Sequence, residues 1–68
     1  MLKQIMVNAA RKHAEAEIEL HKANIEVYMQ QVVGIGEHSD IIETIQKELD
    51  KMAQANDRLE MLDKHFGA

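Results

Sequence analysis

The residues with the most chemical potential are the histidines and the acids beside them. His13, Glu17 and His21 follow one another at intervals of four, so consecutive turns of a helix would present them along one slowly drifting edge. That geometry is capable of holding a divalent cation. The helical motifs that do so, His-Glu-x-x-His in zinc proteases and Glu-x-x-His in di-iron bundles, place a glutamate where this chain has Ala10 and Ile18, and neither motif is met. The plainer expectation is that His13 and His21 pair with Glu17 or across an interface. Because histidine titrates near neutral pH, a proton-linked packing role is the alternative to ligation.

The stretch Gly34-Ile35-Gly36 superficially resembles a phosphate-cradling loop. It follows no strand and lacks a Gly-Lys-Ser/Thr continuation, and Glu37 and Asp40 would repel a phosphate. It reads as a turn between helices. Within that turn Glu37, His38 and Asp40 form a polar cluster on a loop. Loops carry function more often than packed helices do, so Gly34, Ile35, Gly36, Glu37, His38 and Asp40 are the candidate contact site for a partner protein. His65 falls near the other end of the second helix, where its charge would suit the helix dipole.

Nucleophilic catalysis lacks its parts, because there is no cysteine and Ser39, the sole serine, falls at a helix start with no oriented base beside it. A hairpin of helices also offers no concave pocket of its own. The expectation is a protein that is not an enzyme, with no cofactor and no small-molecule substrate. Lys3, Arg11 and Lys12 make a basic N-terminal end, but three charges without interleaved aromatics, on a chain of net charge −4, are a thin footprint for nucleic acid.

The elements that position these residues follow from composition. In 68 residues there is room for one domain, and a core that small rarely supplies more than ~3–5 kcal/mol unaided. Without cysteine no disulfide can reinforce it, leaving self-association or very regular helix packing. Proline is absent and Tyr28 and Phe66 are the only aromatics, while helix formers dominate, which points to an all-α protein. No apolar run reaches the ~20 residues of a membrane span, and the N-terminus lacks the features of a secretory signal.

From Leu2 to Val32 there is neither Gly nor Pro, which predicts a first helix over about 2–32, a turn at 33–39, and a second helix over about 40–66. Ser39 or Asp40 is the expected N-cap of the second helix. Apolar residues on helix 1 recur at alternating spacings of four and three, the seam pattern of packed helices. One stripe runs Leu2, Met6, Ala9, His13, Ala16, Leu20, Ala23, Val27; another runs Val7, Arg11, Ala14, Ile18, His21, Ile25, Tyr28, Val32. At 100° per residue the two lie on nearly opposite sides. Helix 2 shows a single broad apolar face of Ile41, Ile42, Ile45, Leu49, Met52, Ala55, Leu59, Leu62 and Phe66, with Asn56 as a candidate register-fixing polar residue. Its opposite side is charged.

One partner helix covers one side of helix 1, so in a monomer the other stripe would stay exposed over about 45 Å. The expected architecture is therefore a two-helix antiparallel hairpin that self-associates into a four-helix bundle, as a homodimer or homotetramer. The first stripe, with Ala9, Ala16 and Ala23, is assigned to close helix–helix contact, while the sequence leaves open which stripe faces helix 2; the candidate oligomer interface therefore takes residues from both: Leu20, Ala16 and Ala23 with Ile18, Ile25 and Tyr28.

The run Lys-Ala-Asn-Ile-Glu-Val-Tyr at 22–28 and the run Val-Gly-Ile-Gly-Glu-His-Ser-Asp at 33–40 resemble short, uncharacterised helical-hairpin proteins of tailed marine bacteriophages. The resemblance spans Ala14 to Phe66. It implies expression in the cytoplasm of a bacterial host and an accessory or assembly role, and it carries no activity, cofactor or functional residue with it. The functional expectation is a non-enzymatic interaction or structural module. Its rivals are a nucleic-acid-associated regulator acting through Lys3, Arg11 and Lys12, and a metal-binding bundle acting through His13, Glu17 and His21.

Overall fold

Long stretches of helix formers uninterrupted by Gly or Pro do become long helices. The computed structural model of the protein describes residues 2–31 and 38–67; it contains helix α1, Leu2–Gln31, and helix α2, His38–Phe66, with no strand among the described residues. The protein is an all-α helical hairpin. Val32 at the end of the second stripe, Val33, Gly34, Ile35, Gly36 and Glu37 of the expected turn, and the side chains of His38 and Ser39 lie outside what is described. Helix α2 starts at His38 rather than at residue 40, so Ser39 and Asp40 fall within its first turn. Asp40 there still faces the positive end of the helix dipole, and Lys64 and His65 occupy the last turn, where positive charge is favoured.

The two helices run antiparallel, as the ladder of polar contacts between them requires. Arg11 on α1 pairs with Asp63 on α2, Glu17 with Arg58 at 3.5 Å, and His21 with Glu48, so residue numbers rise along one helix as they fall along the other. The result is a rod with Cα extents of 53 × 15 × 12 Å and a radius of gyration of 15.7 Å, against about 11 Å for a compact domain of this length. Among the described residues there is one interhelical seam and no second layer.

The seam is built from the second stripe of α1. Val7, Ala14 and Ile25 are buried, and Ile18, His21 and Tyr28 are half-buried. Opposite them α2 contributes Ile41, Ile45, Glu48, Met52, Ala55, Leu59 and Leu62, again spaced four and three apart. Ala55, wholly covered, marks a point of tight packing at which a larger side chain would not fit. The face of α2 is narrower than its sequence predicts. Ile42, Leu49 and Phe66, expected on it, are about half exposed, at 55%, 49% and 56%, because one partner helix covers only the width of a single seam.

Helix α2 ends at Phe66, one residue before Gly67. A Cβ added at Gly67 would stand 2.5 Å from the carbonyl oxygen of Asp63, so the residue that follows the helix is one position where a side chain would force the backbone to shift.

Candidate functional site

The most constrained chemistry in the molecule is a polar pair set into the seam. His21 Nδ1 lies 2.5 Å from Glu48 Oε2, and Asn24 donates from Nδ2 to the other carboxylate oxygen at 3.3 Å. Among the described residues Glu48 is the buried charged one, at 8% exposure, and the side chains of His21 and Glu48 are 12% and 11% exposed. The seam pattern places them together: His21 and Glu48 are inward positions of their helices at the same height along the rod. Among the described residues no buried side-chain polar atom is left without a partner.

A carboxylate bound to a histidine nitrogen orients the ring as it does in a general base. Using that base would take a nucleophile and a concave site at the far ring nitrogen, and among the described residues no cavity opens. The arrangement has a structural consequence. A buried carboxylate bound by two donors tolerates no slip of one helix along the other, because one turn of displacement would strand its charge in apolar surroundings.

The structure separates the metal-ligand candidates. His13 is 76% exposed and pairs through Nδ1 with Glu17 at 2.8 Å, Glu17 also meets Arg58, and His21 is turned to Glu48 on the other helix. Among the described residues no group of three His, Asp or Glu side chains is placed to share an ion. The basic end is also divided: Lys3 and Lys12 are exposed, whereas Arg11 is half-buried and paired with Asp63. Asn56 is exposed beside the seam rather than within it, and the buried polar position described on α2 is Glu48.

The candidate interface residues divide in the same way. Ile18, Ile25 and Tyr28 lie in the seam inside one chain. Leu20, Ala16 and Ala23 are on the uncovered side of α1. There the stripe forms a continuous open face on which Leu2, Met6, Leu20 and Val27 are 70%, 63%, 56% and 51% exposed, with Ala9, His13, Ala16 and Ala23 between them, all exposed.

The residue that sequence reading missed is Glu48. Its signal was present: the inward spacing of α2 passes from Ile45 to Glu48 to Met52, and the matching position on α1 is a histidine. No helix among the described residues is long and apolar enough to cross a membrane. No family model, no curated protein and no solved structure matches the chain.

Proposed function

We propose that the protein is a non-enzymatic structural or assembly module that works as a homo-oligomer, two hairpins joining through the open face of α1 into a four-helix assembly. The observation that carries this reading is the apolar stripe left uncovered along α1, from Leu2 to Val27. Contiguous apolar surface of that extent marks an interaction site, and association adds stability to a chain this small. The acidic outer surface of α2 is then the face offered to another protein, and the sequence run Glu37, His38 and Asp40 is the second candidate contact. An accessory role in a phage-infected bacterial cytoplasm is the setting we favour, on the resemblance of residues 22–28 and 33–40.

Sedimentation equilibrium at micromolar concentration tests the reading. The expected result is a stable dimer or tetramer; a folded monomer would overturn it. Leu20→Glu should dissociate the assembly, because it sets a charge in the covered face, while far-UV circular dichroism retains the helical signal of the hairpin.

A further inference from the structure

The open face of α1 does more than ask for a cover; its sequence fits a second copy of itself in one orientation. From Leu2 to Ala14 the helix carries three bases, Lys3, Arg11 and Lys12, and no acid; from Glu15 to Gln31 it carries Glu15, Glu17, Glu19 and Glu26 with Lys22 alone in opposition. The two halves are therefore +3 and −3, and pairing two such helices head to tail sets each basic half against an acidic one.

Side-chain volume selects the same orientation. Along the open face bulky and small residues alternate: Met6, Ala9, His13, Ala16, Leu20, Ala23. A parallel pair in register would stack Leu20 on Leu20, His13 on His13 and Ala16 on Ala16, so that layers alternate between crowded and empty. An antiparallel pair opposes large to small in layer after layer, which is how close-packed interfaces fill space.

Flanking charge then selects the register. Lys12 and Glu19 lie on the same edge of the open face, and both are exposed. When the two-fold axis passes between Ala14 and Glu15, Leu20 meets the partner's Ala9, Met6 meets the partner's Ala23, and Lys12 lies beside the partner's Glu19, twice by symmetry. Sliding the partner by one heptad toward one end brings Glu19 onto Glu19; sliding it toward the other brings Lys12 onto Lys12. Both shifts replace attraction by repulsion.

We propose that a second copy of this chain docks on the open face of α1 in this antiparallel register, so that the four helices lie in a row with the two α1 helices inside and the two α2 helices outside. The inference rests on the homo-oligomer reading above and specifies its partner and geometry. Because the open face is almost diametrically opposite the intrachain seam, the assembly has three parallel seams in succession rather than one shared central core.

The test uses charge exchange at exposed positions, which leaves the hairpin seam untouched. Lys12→Glu alone and Glu19→Lys alone should each raise the dimer Kd by roughly tenfold, since two attractive flanking pairs become repulsive. Mixing the two variants should restore wild-type affinity as a heterodimer, because both flanking pairs are then of opposite sign. Oxidation of a chain carrying Ala9→Cys and Leu20→Cys should give a covalent dimer, and Leu20→Cys alone should not. A wild-type monomer in the same sedimentation runs would overturn the oligomer reading itself. A wild-type dimer with indifferent charge variants, or one that cross-links through Leu20→Cys alone, would overturn the antiparallel register and leave the oligomer standing.

Discussion

The two sides of α1 are made from similar apolar residues at the same spacing, yet they treat their polar members differently. In the seam toward α2, Arg11 and His21 each find an acid on the other helix, Asp63 and Glu48. On the open side the one polar member of the stripe, His13, finds its partner on its own helix, Glu17, and stands largely in solvent. A seam whose polar residues are satisfied across the gap is fixed in register from within. An open face whose polar residue is satisfied locally leaves register to shape and to the charges along its margins.

Charging each side in turn breaks the comparison most sharply. Ile25→Glu places a carboxylate at a position only 7% exposed with no partner, and should cost more than about 3 kcal/mol, enough to abolish the helical signal in circular dichroism at any protein concentration. Leu20→Glu, at 56% exposure, should leave the isolated hairpin within about 0.5 kcal/mol of wild type; what disappears is the concentration dependence of its thermal midpoint. Equal damage from the two substitutions would erase the distinction between the sides.

A smaller effect sharpens the account of the seam. Glu48→Ala removes the acceptor shared by His21 and Asn24 and should cost about 1–3 kcal/mol in urea unfolding, because buried donors lose their partner. Replacing both members together, Glu48→Leu with His21→Leu, should be neutral or stabilising, since an apolar pair of similar volume avoids desolvating a charge. If the pair sets register, the stabilised double variant should show broadened amide resonances along α2 as neighbouring registers become populated. Smallest of all is Arg11→Ala. Its pair with Asp63 is at the surface, with side chains 32% and 53% exposed, and its loss should shift stability by no more than about 1 kcal/mol and less at high salt.

The helices and their pairing were largely legible in the sequence, and the reasons are local. Absent Gly and Pro across Leu2 to Val32 and a sustained spacing of four and three leave few other structures open. The choice between the two stripes was not legible, because both have the same period and similar apolar content. It is decided by matching across the gap: only the stripe bearing Arg11 and His21 meets the acids Asp63 and Glu48 at the right heights. Glu48 was overlooked for a related reason. Leu49, its neighbour, is the more apolar of the two, and a reading that counts hydrophobicity one residue at a time prefers it; the structure seats Glu48 inward because His21 and Asn24 supply the donors that make its burial tolerable. The start of α2 at His38 rather than at residue 40 is of the size by which helix ends commonly differ from their caps in sequence.

The ladder of polar contacts also sets an order of fragility along the rod. Asn24 and Glu48 are 24 residues apart in sequence, whereas Arg11 and Asp63 are 52 apart; closing the longer loop costs roughly 0.7 kcal/mol more in chain entropy. The hairpin is thus a zipper that is tightest next to its turn, and its loose ends are the start of α1 and the finish of α2, where fraying begins. In the antiparallel dimer the fraying start of one α1, at Leu2 and Met6, lies against Val27 and Ala23 of the other, close to that hairpin's fastened end. Each copy would hold shut the end that the other cannot hold for itself.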